Sequence, residues 1–117
     1  MIINYRGSTG YGEDFFNALI SNVGVTDVDD CGHLIQKTLT EFPNEIDSKR
    51  VSVYGGSHGG FLIGHLIGHP EFKELFKAAA VRNPVLDFNY MLASTDIPDW
   101  IYGCCLNRDM DFATPSE

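Results

Sequence analysis

The stretch from Val51 to Ile67 constrains this chain more than any other, because its character changes twice within a short span. Val51-Ser52-Val53-Tyr54 is a short alternating run rich in β-branched residues, the pattern of a strand. Gly55-Gly56-Ser57-His58-Gly59-Gly60 then permits a tight turn, and Phe61 to Ile67 is apolar nearly all round, as a helix at the centre of a domain is. Gly55 to Gly59 fits G-x-S-x-G, the nucleophile elbow, in which a strained turn between strand and helix presents a serine hydroxyl at the carboxyl end of a sheet. Ser57 then stands at a helix N-terminus, with the His58 backbone N–H aimed at a developing oxyanion. Side chains at Gly55 or Gly59 are expected to collide with neighbouring backbone, and Gly56 and Gly59 to need a positive φ or a crowded helix start. The plainer alternative is a glycine-rich turn whose serine caps the helix.

Around this centre, strand and helix patterns alternate, which predicts an α/β sandwich with a parallel sheet. Ile2 to Tyr5 reads as a strand and Arg6 to Gly12 as a glycine-rich loop. Asp14 to Ile20 suggests a short helix that breaks at Asn22-Val23-Gly24. Thr26 reads as an N-cap, with Asp27, Asp29 and Asp30 favourable in the first turn and otherwise solvated. Val28, Cys31, Ile35, Thr38, Leu39 and Phe42 recur at helical spacing, and Pro43 closes the helix. Glu71 to Phe76 predicts a short helix or turn, and Ala78 to Val81 a buried parallel strand ending at Arg82-Asn83-Pro84. Leu86 to Trp100 is irregular, with a helical turn at Tyr90-Met91-Leu92, and the tail from Asn107 lacks a core pattern.

Several functions are disfavoured. A net charge of −8 argues against a nucleic-acid backbone or an anionic membrane surface as partner. No stretch reaches the ~18 consecutive apolar residues of a membrane span, and the N-terminus lacks the pattern of a secretory signal. Three cysteines, with Cys104 and Cys105 adjacent, make a poor disulfide framework, so a reducing, cytoplasmic location is expected. Gly7, Gly10 and Gly12 match neither dinucleotide nor P-loop spacing. Asp27, Asp29, Asp30, Cys31 and His33 point in different directions around a helix, and His65 with His69 lacks a third ligand, so no metal site is expected.

The run Asn4 to Gly12, the elbow Gly55 to Gly60, Arg82-Asn83-Pro84-Val85 and Ser94-Thr95-Asp96-Ile97-Pro98-Asp99-Trp100 together resemble the acylaminoacyl peptidase branch of the prolyl oligopeptidase family of serine peptidases. The similarity runs from about Ile3 to Trp100, and its last motif is the most specific to that branch. The resemblance implies a partial α/β-hydrolase fold, a three-layer sandwich with a mostly parallel sheet. It makes Ser57 the nucleophile and gives the His58 N–H a place in the oxyanion hole. The implied substrate is a short peptide with an N-acylated end, from which one acylated residue is released through an acyl-enzyme, without a cofactor. An esterase or another oligopeptidase on the same fold is the alternative, since fold does not set substrate.

A serine nucleophile needs a base, and the base an orienting acid, in the chain order serine, acid, histidine on this fold. His65 and His69 lie ~12 and ~18 Å along the helix from Ser57, at ~1.5 Å per residue. His58 is sequence-adjacent and turned away, and His33 precedes the serine. Asp87, Asp96, Asp99, Asp109 and Asp111 follow it, but none matches the family's acid. The family's histidine-glycine-glycine-proline turn and its β-propeller are also missing. With only 117 residues, the expectation is therefore one incomplete catalytic domain spanning 1–117, lacking the triad Asp and His, or a non-catalytic truncated copy. Oligomeric state is not legible.

Overall fold

The computed structural model describes residues 1–107. Its centre is a βαβ unit: β1 (Ser52–Gly56), α3 (His58–Gly68) and β2 (Ala78–Arg82), preceded by α1 (Glu13–Asn17) and α2 (Thr26–Glu41). A single 3-10 turn, Lys73–Leu75, leads into β2. Beyond β2 come α4 (Phe88–Ser94), α5 (Pro98–Trp100) and a π-helical turn at Ile101–Cys105.

The strands are parallel, with Ser52 opposite Ala78 and Gly56 opposite Arg82. A parallel pair needs a long crossover, and the apolar segment after the elbow supplies it as α3. Gly60, Phe61, Leu62, Ile63 and Leu66 of α3 are buried. Against them α2 sets Val28, Cys31 and Ile35, the inner part of its predicted stripe, while Phe42 at its end is 44% exposed. Phe72, wholly buried, completes the core. It packs so closely on α2 that a Cβ at Gly32 would lie 2.3 Å from its ring. Gly32 therefore gives up helix propensity, about 1 kcal/mol relative to alanine, so that the ring can approach the helix backbone.

Several expectations are corrected. Ile2 to Tyr5 is not a strand, since extended backbone becomes one only where a neighbour pairs with it. Ile2 is 94% exposed, although Ile3 and Tyr5 pack on the core. Thr26 is the first residue of α2 rather than its cap, and no side chain caps that end. β2 is exposed along its whole length because β1 is its one partner among the described residues. The supposedly irregular segment after Leu86 holds α4, capped by Asp87, whose carboxylate accepts from the N–H groups of Asn89 and Tyr90 at 2.8 and 3.0 Å. Asp109 and Asp111 fall outside the described residues.

The radius of gyration is 16.2 Å, against roughly 13 Å for a compact chain of this length. A groove of about 820 Å3 opens between the N-terminal segment, α2 and β1, lined by apolar side chains including Ile3, Ile35, Leu39, Val53 and Leu62. Neither Ser57 nor His58 lines it. No helix among the described residues is long and apolar enough to cross a membrane.

Candidate active site

β1 ends at Gly56 and α3 begins at His58, so Ser57 alone makes the turn between them. It does so at φ 54° and ψ −122°, a region that residues with a Cβ rarely occupy. The positive φ thus falls on the serine and not on Gly56 or Gly59. Ser57 is exposed and its side chain makes no cap hydrogen bond, which removes the plain helix-capping alternative.

The turn is held on both sides. The Ser57 N–H donates to the Arg82 carbonyl at 3.0 Å, continuing the β1–β2 ladder. The Ser57 carbonyl accepts from the N–H groups of Gly60 and Phe61 at 3.0 and 3.1 Å, and from Val85 at 3.4 Å. The first N–H groups of a helix have no intrahelical acceptor. Those of Gly60 and Phe61 turn back to Ser57, whereas that of His58 has no acceptor among the described residues.

Crowding explains some glycines and not others. A Cβ at Gly55 would lie 2.8 Å from the backbone C and O of Gly59 and 3.1 Å from Ile63 Cδ1, as expected from the elbow. At Gly59, contrary to expectation, a Cβ would meet nothing within 4 Å. At Gly56 it would make ordinary contact, 3.5 Å from the Arg82 carbonyl. The second crowded position is Gly60, where a Cβ would come within 2.6 Å of Pro84 Cβ. The approach of the Arg82-Asn83-Pro84 segment thus makes Gly60 tight.

The pairing that sequence reasoning missed is Asp27 with His58. Asp27 is fully buried, not solvated. Its Oδ1 accepts from the N–H groups of Gly24 and Val28 at 2.7 and 3.0 Å, and its Oδ2 lies 2.9 Å from His58 Nε2. The His58 ring stacks on Phe61 at 5.2 Å and meets Trp100 edge-on at 5.7 Å, with Tyr5 at 6.1 Å. Its Nδ1 is buried without a partner among the described residues. One signal was available: Asp27 lies four residues before Cys31, on the apolar stripe of α2, and an acidic residue there requires a buried partner. Nothing in the spacing says that the partner is His58.

Asp30 and the other three histidines go to separate partners. Asp30 holds Arg6 in a two-pronged ion pair, with Nη2 to Oδ1 at 2.6 Å and Nε to Oδ2 at 2.9 Å, and also accepts the Arg6 N–H. That hydrogen bonding keeps the Asp30 carboxyl below its ordinary range and ties the glycine-rich loop to α2. His33 Nδ1 bonds the Asp29 carbonyl at 2.8 Å. Cys31 is in the core, and burial, with Asp27 and Asp30 nearby, pushes its thiol up to about 12. Burial also raises Tyr5, ahead of the charge of Asp27. His65 packs on Phe61 at 4.4 Å and His69 on Phe72 at 4.5 Å. Among the described residues, no histidine hydrogen-bonds the Ser57 hydroxyl, and no group of side chains is arranged to hold a metal ion.

The sequence profile of the prolyl oligopeptidase family matches residues 1–110. An acylamino-acid-releasing enzyme from Sus scrofa is 48% identical over 100 residues, which covers 86% of this chain and 13% of the relative. The chain thus spans about an eighth of the length of such curated relatives. The crystal structure of an acylaminoacyl peptidase from Pyrococcus horikoshii superposes with a TM-score of 0.75 at 27% identity, covering 87% of this chain and 16% of that one. An acylaminoacyl peptidase in complex with Z-Gly-Gly-Phe-chloromethyl ketone gives 0.75 at 28% identity, covering 88% and 16%.

Proposed function

The chain belongs to the prolyl oligopeptidase family of serine peptidases, and from that premise we propose that it carries the nucleophile, though not the base, of an acylaminoacyl peptidase. Its fold is the corresponding part of an α/β hydrolase. Residues 1–117 form, in this reading, an incomplete catalytic domain of a longer parent enzyme. The observation that carries it is the backbone of Ser57: a strained, exposed serine between a parallel strand and a buried helix is the arrangement that an acyl-transfer nucleophile requires.

In the proposed reaction Ser57 Oγ attacks the carbonyl carbon of the first peptide bond. Its proton passes to a histidine contributed by the parent enzyme outside the described residues, oriented by an acid from the same source. The carbonyl oxygen becomes an oxyanion that accepts a hydrogen bond from the His58 N–H. Collapse expels the amine, which takes the proton and leaves an acyl-enzyme on Ser57. Water, deprotonated by the same histidine, then releases the acylated amino acid. The names of the relatives support a short N-acylated peptide as substrate. Three free cysteines fit a cytoplasmic location.

A second reading, a non-catalytic truncated copy, is favoured by one observation: the Ser57 hydroxyl has no histidine beside it among the described residues. Substitution of Ser57 by alanine in the parent enzyme distinguishes the two. We expect turnover of acetyl-alanyl peptides to vanish while the melting curve stays in place, because an exposed hydroxyl contributes little packing. Retained hydrolysis by Ser57→Ala removes Ser57 as nucleophile. A parent enzyme that cleaves esters but no acetyl-alanyl peptide makes it an esterase.

A further inference from the structure

The Asp27–His58 pair lies beside the turn, yet the proposed chemistry uses only the backbone of His58. We propose that Asp27 is a positioning residue: by holding the His58 imidazole it fixes the start of α3, and with it the strained Ser57 and the His58 N–H. The inference rests on Ser57 being the nucleophile.

Ser57 occupies a backbone conformation that relaxes unless its surroundings over-determine it. Its own hydrogen bonds reach Arg82, Gly60, Phe61 and Val85, which sit in β2, in α3 itself and just beyond β2. None of these ties the first residue of α3 to α2. The bond from His58 Nε2 to Asp27 Oδ2 does, across 31 residues of chain and at 2.9 Å. Its anchor is rigid, for Asp27 is fully buried and its other oxygen is fixed by two backbone N–H groups, that of Gly24 just before α2 and that of Val28 in its first turn. The imidazole is wedged between rings from three segments, Tyr5, Phe61 and Trp100.

The pair acts by geometry and not by proton transfer. A carboxylate only accepts, so the Nε2 facing it carries hydrogen. Nδ1 is buried and has no hydrogen-bond partner among the described residues, Ser57 included, so the pair offers no relay to the serine there. A buried carboxylate paired with a histidine is weak evidence for stability, since desolvation offsets much of the attraction. A geometric role accounts for placing it next to a strained turn.

The Gly24 and Val28 N–H groups share Oδ1, so an asparagine at this position would turn its NH2 toward His58 Nε2 and keep the tie through the other ring tautomer, whereas alanine removes the acceptor outright. Asp27→Ala is therefore the direct probe, made in the parent enzyme with kcat, KM and the rate of Ser57 labelling by a fluorophosphonate normalised to folded protein. The expected result is a kcat and a labelling rate lower by roughly 10- to 100-fold, the scale of a small misplacement at a reacting centre, with KM nearly unchanged. His58→Ala should show the same split. His58→Gln, whose side-chain NH2 reaches toward Asp27 as Nε2 does, should recover most of that loss. If Asp27→Ala does not fold, the comparison of His58→Ala with His58→Gln decides.

Unchanged kcat and labelling per folded molecule in Asp27→Ala overturns the inference, as does a His58→Gln no better than His58→Ala. Ser57→Ala in parallel separates the two levels. If it still turns over substrate, the nucleophile assignment has failed. If it is dead while Asp27→Ala is normal, only the positioning role has.

Discussion

Alanine substituted at Gly55 and at Gly59 should move stability in opposite directions, although both are glycines of the same motif. At Gly55 the new Cβ would stand 2.8 Å from the Gly59 carbonyl group, and ordinary contact begins near 3.4 Å, so the backbone has to give by about 0.6 Å. The obstructing atoms are main chain in the first turn of α3 and cannot swing aside as a flexible side chain does. Overpacking of this kind costs about 1–3 kcal/mol. At Gly59 nothing lies within 4 Å, and alanine in a helix gains up to about 1 kcal/mol over glycine. In the parent enzyme the two variants should therefore differ by roughly 1–4 kcal/mol in urea unfolding, read from midpoints at equal m. Because relief at Gly55 displaces the turn that carries Ser57, its fluorophosphonate labelling should also slow, by several-fold or more if a ~1 Å misplacement costs ~100-fold. A Gly59→Ala variant as unstable as Gly55→Ala refutes the reasoning, because the elbow backbone would then differ from the one described.

Expressed alone, residues 1–117 should be marginally folded and inactive. β2 is exposed along its length, Tyr54 is 74% exposed, and no described histidine bonds Ser57, so stoichiometric labelling with Ser57-dependent cleavage of an acetyl-alanyl peptide would contradict this. Cys31 should resist iodoacetamide at pH 8 in the native protein and react once unfolded, as mass spectrometry of the three cysteines would show. Its folded pKa, about 12, is raised, so its contribution to stability is full below the unfolded thiol's pKa and is lost as pH climbs through the alkaline range. Native alkylation of Cys31 at pH 8 would place it outside the core.

Periodicity was enough for the elements that satisfy themselves locally. The V-S-V-Y run, the apolar α3 and the Val28-Cys31-Ile35 stripe were readable because alternation and helical spacing are properties of adjacent residues. The serine turn was readable too, since glycines around a lone serine between strand and helix admit few other conformations. What escaped is what depends on a distant neighbour. Ile2 to Tyr5 has a strand's composition, but without a paired edge it remains irregular. Which glycines are crowded follows from where Pro84 and Ile63 lie, so Gly60 is tight and Gly59 open. Apart from its place on the apolar stripe, Asp27 reads as an ordinary helix-start residue, and only the packing of α2 against α3 strips its water away and delivers His58 to its oxygen. Local pattern thus determined the serine and the turn that carries it. The surroundings that hold the turn in a strained conformation came from tertiary structure, because a buried charge and a close contact are set by atoms far apart in the chain.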